Sequence, residues 1–154
     1  MWRMFFNASS LTSLNLSNFN TSNVTRMDWM FNGVSSLTSF DVSHFDTSNV
    51  THMDGMFANM SSLTSLNLSN FNTGNVRIMG TSNNFSSGMF EGMTSLTSLD
   101  LRSFNTMNVT NKGRLFRNTP NLTQVLVTQS TWRTTSVIIT DMWLNSNINS
   151  VTFA

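Results

Sequence analysis

The 154 residues are one domain's length of chain, too short for two ordinary enzyme domains. Ser, Thr and Asn supply 24, 21 and 22 residues, charged residues are only 10 %, and the formal net charge is +1, so there is no concentrated basic surface of the kind that nucleic acid or an anionic membrane rewards. With no cysteine the chain is closed to disulfides, thiolate catalysis and thiolate metal sites, while 39 % hydrophobic residues, 13 of them Phe and 12 Met, are too many for a disordered segment.

Self-similarity at a fixed period organises the whole chain. Leu11, Leu37 and Leu63 stand 26 apart, Leu96 follows after 33, and Leu122 and Ile148 resume at 26. Phe19, Phe45, Phe71 and Phe104 form a second series in the same phase, and Val24, Val50, Val76 and Val109 a third. Phe5, Phe31, Phe57, Phe90 and Phe116 make a fourth. The units are approximately 1–26, 27–52, 53–78, 79–111, 112–137 and a divergent cap at 138–154, in a single domain. The long step falls between Met79 and Met89 and predicts a loop insertion near 80–88, rich in Gly, Ser and Asn.

Each unit opens on a run such as Met27, Met30, Phe31 and Val34, whose spacing of three and four predicts a short helix or helical turn. A run such as Leu37, Phe40 and Val42 follows, with its last apolar pair in alternation, as a strand requires. Thr47, Ser48 and Asn49 then supply short polar side chains suited to capping the next helical turn. Neither element buries its apolar side alone, so successive units must stack. The predicted fold is an α/β solenoid: a right-handed leucine-rich-repeat-like horseshoe of about six 26-residue units, with parallel strands on the concave face and short helices or turns on the convex face.

The L-x-x-L-x-L core resembles the leucine-rich repeat. The longer string S-x-F-[ND]-T-x-N-V followed by M-x-x-M-F is similar to the BspA-like repeat of bacterial and protist surface proteins, including mycoplasma lipoproteins. Phe45, Asp46, Thr47, Asn49, Val50, Met53, Met56 and Phe57 occupy that motif, and the match weakens after Val127. The resemblance implies an extracellular or cell-surface module for adhesion and protein binding, with no enzymatic activity and no cofactor. It implies a host protein, matrix protein or neighbouring subunit as partner.

The Met and Phe series reads as core, and the Asn and Thr series at Thr21, Asn23, Thr47 and Asn49 as stitching between turns. Solvent-facing strand positions are left for function, and there Ser39, Asp41, Ser65, Asn67, Ser98, Asp100 and Arg102 are the candidate contacts for a protein or glycan. His44 and His52 look like surface variation, and Asp41, His44 and Asp46 lack a recognised ligand spacing. Arg102, Lys112, Arg114, Arg117 and Arg133 form a basic tail half, read either as a charged protective surface or as a patch for phosphate or acidic protein. No stretch approaches the roughly 20 apolar residues of a membrane span, so direct membrane insertion is not expected. Chain ends that carry open strand edges predict end-to-end association, and a structural subunit held through those ends is the alternative to a binding module. Ice or mineral binding by the Ser and Thr columns is a minor alternative.

Overall fold

A computed structural model describes residues 1–81, 87–132, 142–148 and 150–153. The chain winds as a stack of laps of the 26-residue repeat, and one hydrophobic cluster runs through the stack from Leu16 to Met142. Its spine is a column of rings in which Phe5, Phe31, Phe57, Phe90, Phe116 and Trp143 follow one another at centroid distances of 5.5, 6.1, 6.1, 5.6 and 4.9 Å, with neighbouring planes within 13° of parallel. Such offset stacks add about 0.5–1.5 kcal/mol per pair to the burial itself. Met27, Met53, Met79, Met30, Met56 and Met89 fill the space beside them and are fully buried.

The horseshoe of about six strand-and-helix units does not describe this stack. Among the described residues there is no helix, and there are only three strands: β1 (Ser98–Leu101), β2 (Gln124–Val127) and β3 (Ser150–Phe153). They form one parallel sheet in the order β1-β2-β3, with Ser98, Gln124 and Ser150 in register. Elsewhere, strand pairing shrinks to single parallel bridges that join Arg26, His52, Ile78 and Asn111.

The predicted helix fails for a definable reason. An α-helix needs unbroken right-handed φ and N–H groups that bond four residues back. Here Trp29 and Gly33 have φ of 61° and 78°, and the left-handed conformation recurs at Gly55, Asn59, Gly92, Arg114 and Asn118. The result is a run of β-turns in which alternate N–H groups have alternate jobs. Met30, Asn32 and Val34 donate back three residues to Met27, Trp29 and Phe31, closing the turns. Met27, Trp29, Phe31 and Gly33 donate sideways to His52, Asp54, Met56 and Ala58 of the next lap. Apolar side chains fall at spacings of three and four in such an arc as they do in a helix, so hydrophobic periodicity does not separate the two.

Composition accounts for only part of the difference between these strands and the early laps: β2 is Gln-Val-Leu-Val and β3 Ser-Val-Thr-Phe, rich in residues that favour pleated sheet, whereas β1, Ser-Leu-Asp-Leu, resembles the unpaired Ser-Leu-Asn-Leu of 65–68 and is a strand through its pairing with β2. The early segments nevertheless keep the alternation that buries Leu66 and Leu68 and exposes Ser65 and Asn67.

The insertion leaves the lap at Met79, which donates to Asn111, and rejoins it at Met89, which donates back to the Met79 carbonyl. Its central residues 82–86 lie outside the described residues, as do parts of the last two units at 133–141, 149 and 154. Gly80 and Gly88 sit so close to the Gly113 and Arg114 carbonyls that a Cβ on either would overlap backbone.

Replacing Phe57 by Ala removes the centre of the ring column, which touches Phe31, Phe71 and Phe90. This should cost about 3–5 kcal/mol of stability in a urea titration. Gly33→Ala tests the turn arc: its φ is 78°, and an added Cβ would stand 2.5 Å from Asn7 Oδ1. A loss of about 1–2 kcal/mol is expected from the left-handed conformation alone.

Candidate recognition surface

The seven sequence candidates Ser39, Asp41, Ser65, Asn67, Ser98, Asp100 and Arg102 are all solvent-exposed. They occupy equivalent positions on the second, third and fourth laps. β1 places Ser98 and Asp100 outward while Leu99 and Leu101 enter the core.

Part of this column is committed to the backbone. One carboxylate or amide oxygen of Asn15, Asp41, Asn67 and Asp100 accepts the N–H two residues on, from Ser17, Ser43, Ser69 and Arg102, at 2.9–3.1 Å. This Asx turn ends the extended segment in each lap. A second column does the same one corner later, with Asn20, Asp46, Asn72 and Asn105 accepting from Ser22, Ser48, Gly74 and Met107. The hydrogen bonds from Ser43 and Ser48 hold the Asp41 and Asp46 carboxyls below the usual carboxylate range.

Buried threonines tie lap to lap. Thr21 donates its hydroxyl to the Asp46 carbonyl at 2.9 Å and accepts the Asp46 N–H at 2.8 Å. Thr47 forms the same two-way clamp with Asn72, and Thr73 with Asn105. Beside them the Asn49, Asn75 and Asn108 amides donate to the Ser22, Ser48 and Gly74 carbonyls, each at 2.7 Å. The Thr and Asn series are therefore the stitching between laps, and each Thr clamp satisfies two main-chain groups with one side chain.

Asp100 and Arg102 stand apart from the repeated pattern. The Arg102 guanidinium holds both carboxylate oxygens of Asp100, Nη2 to Oδ2 at 2.7 Å and Nε to Oδ1 at 3.0 Å, in full view of solvent. Those hydrogen bonds lower the Asp100 carboxyl and raise the Arg102 guanidinium from their ordinary values. The pair borders a cleft of about 430 Å³ between the third and fourth laps, floored by Leu66 and Leu68 and edged by Asn67, Ser69 and Ser103. It opens because the two extended segments are not hydrogen-bonded through their backbones there. A smaller cleft recurs between the first and second laps beside Asn15, Asp41 and His44.

Among the described residues the basic tail half does not gather into a surface patch. Lys112 and Arg114 are buried, with the Lys112 ammonium 3.1 Å from Thr106 Oγ1 and 5.2 Å over the Trp132 ring. Arg117 lies 3.7 Å from Glu91, and Arg133 is outside the described residues. His44 Nε2 is 2.7 Å from the Leu16 carbonyl and His52 Nδ1 is 2.9 Å from the Thr51 hydroxyl, so both imidazoles are engaged locally. No three His, Asp or Glu side chains converge on a metal-sized site among the described residues.

One cluster escaped sequence reading. Arg26 grips Asp28 through two 2.9 Å contacts, Trp29 Nε1 donates to Asp54 Oδ2 at 3.2 Å, and the Arg3 guanidinium sits about 5 Å from the rings of Trp2, Phe6 and Trp29. Asp28 and Asp54 stand 26 apart, a visible signal of stacked acids. Burial, and then the Asp28 carboxylate, push the Asp54 carboxyl up.

The chain belongs to the Mycoplasma protein family of unknown function DUF285, whose model matches residues 1–85 and again residues 82–151. No curated protein matches the chain.

Asp54 carries a stability consequence of definite sign. A carboxyl raised on folding weakens the folded state at neutral pH, and this handicap disappears as pH falls below the unfolded value of about 3.9. Asp54→Asn should therefore melt higher than the parent at pH 7, with the difference closing toward acid pH, because the amide oxygen still accepts the Trp29 N–H. Equal melting shifts at both pH values would show that Asp54 is not the group responsible.

Proposed function

We propose that the chain is a non-catalytic protein-recognition module, displayed at the cell surface or secreted, whose contact surface is the exposed polar strip through Ser39, Asp41, Ser65, Asn67, Ser98, Asp100 and Arg102. The observation that carries this reading is the Asp100–Arg102 pair beside its apolar-floored cleft. Asp100 closes its Asx turn as Asn15, Asp41 and Asn67 do, but the Arg102 guanidinium closes no turn and joins no laps, and an ion pair this exposed adds little to the fold. It offers a fixed donor fork and an acceptor to a partner, next to an apolar recess suited to one side chain.

The location rests on the resemblance of the string around Phe45, Asp46, Thr47, Asn49 and Val50 to the BspA-like repeat of surface proteins. A rigid stack with side chains at regular intervals suits an extended protein surface better than a small ligand, because the clefts are shallow and recur along the strip. The partner is a host or matrix protein with a charged pair and an apolar side chain to match.

Arg102→Glu turns the fork into a second acid beside Asp100. It should cut binding to immobilised matrix protein by roughly tenfold or more while leaving the melting temperature within a few degrees of the parent. Biosensor titration with thermal melting as control checks this. Undiminished binding by Arg102→Glu, with the fold intact, would remove the strip from consideration.

A further inference from the structure

Given the recognition surface proposed above, on which this reading depends, we infer that the cleft between the third and fourth laps receives an extended segment of the partner protein, held by main-chain hydrogen bonds along the free edge of β1. Main-chain pairing between these two laps is lopsided. In the arc Phe57 and Asn59 donate to Met89 and Glu91, and past the last corner Thr110 donates to Arg77. Along the strip no main-chain bond joins the two laps, although β1 is paired with β2 on its other edge from Ser98 to Leu101. The N–H and C=O groups of Thr64, Ser65, Leu66 and Asn67 have no hydrogen-bond partner among the described residues. Side-chain bonds from Thr94 to the Ser61 carbonyl and from Ser103 to the Leu68 carbonyl hold the laps together at either end, so the opening lies between them. A row of unpaired donors and acceptors on extended chain is a template for another extended chain.

The side chains around the opening suit the same occupant. Leu66 in its floor is 9 % exposed, whereas Leu99 and Val125, which hold the same position in laps whose strands are paired, are 2 % and 0 % exposed. An apolar side chain of the incoming segment supplies over Leu66 the cover that a paired strand supplies over Val125. At the rim Arg102 spends Nε and Nη2 on Asp100, and its Nη1 has no partner among the described residues, which leaves a donor for a carbonyl of the segment. The volume of about 430 Å³ matches a short length of extended chain. Main-chain bonds carry the affinity in this mode of binding and pockets for alternate side chains carry the selectivity, so the occupant is defined by its extended conformation and by one apolar residue facing Leu66 and Leu68.

The probe is an acetylated, amidated hexapeptide of alternating Thr and Val, and its control is the same peptide with every backbone nitrogen methylated, which keeps the side chains and removes the donors. Amide hydrogen exchange of the whole chain is followed with each peptide at saturation. The unmodified peptide should slow exchange in residues 64–67 and in β1 by roughly tenfold or more and leave the arc at 53–60 unchanged, and the methylated peptide should leave all of them unchanged. Ser69→Trp places a large ring at an exposed rim position whose hydroxyl bonds nothing among the described residues, so this variant should melt like the parent and lose the protection. No protection by the unmodified peptide overturns the inference, as does equal protection by the methylated one or undiminished protection in Ser69→Trp. If Ser69→Trp melts lower than the parent, the methylated peptide makes the same test on the unaltered chain. Loss of matrix-protein binding in Arg102→Glu together with absent peptide protection removes the main-chain docking and leaves the side-chain strip, whereas peptide protection together with undiminished binding by Arg102→Glu does the reverse.

Discussion

The structure rests on one constraint: every buried main-chain group in a lap must find its partner in the neighbouring lap or in its own turn. A buried backbone N–H or C=O left unpaired costs about 1–3 kcal/mol, and a 26-residue lap with little regular secondary structure has many to place. The chain divides them. Odd positions of the arc, such as Met27, Trp29 and Phe31, bond laterally, and even positions such as Met30 and Asn32 bond within the turn. Left-handed φ at Trp29 and Gly33 makes this division possible, because an unbroken right-handed run would turn all the N–H groups along one axis. Ring stacking then follows, since lateral bonds of about 3 Å hold Phe31 over Phe57 with their planes 5° apart.

The polar composition follows from the same requirement. A stack without continuous strands or helices needs side chains to stand in for missing main-chain partners, and Ser, Thr, Asn and Asp are the residues short enough to do so locally. Thr47 pairs with both the N–H and the carbonyl of Asn72, Asn75 reaches the Ser48 carbonyl, and Asp46 closes its own turn on Ser48. This abundance of hydroxyl and amide is therefore not in itself a recognition signal. What distinguishes a contact residue here is a polar side chain with no structural duty, and by that measure the Arg102 guanidinium and the second oxygen of Asp100 rank above Asn67 or Asp41.

The period, the core columns and the insertion were legible in the sequence because repetition multiplies a weak pattern: Leu37, Leu63, Leu96 and Leu122 are all buried. The helical arc and the strands of the early laps were not recoverable from hydrophobic spacing, which an arc of turns shares with a helix. A different column held the missing information. Asn7, Gly33, Asn59, Gly92, Asn118 and Asn145 occupy one phase of the repeat and all have positive φ, and Asn and Gly are the residues that tolerate that conformation. Of the candidate site, exposure was readable from the alternation in Ser-Leu-Asp-Leu. The Asx turns were not, nor was the burial of Lys112 and Arg114, because both depend on where the chain bends rather than on which face a residue occupies.

Departures from the repeat thus carry more functional weight than the repeat itself. Where a buried position is filled alike in lap after lap, as at Phe31, Phe57 and Phe90, its side chain serves stacking, and a change there is felt by two neighbours. Arg102 replaces Ser17, Ser43 and Ser69, residues that need only supply an N–H to the Asx turn, and Arg102 supplies that N–H equally well. Its side chain is thereby released from architecture and free to be selected for a partner.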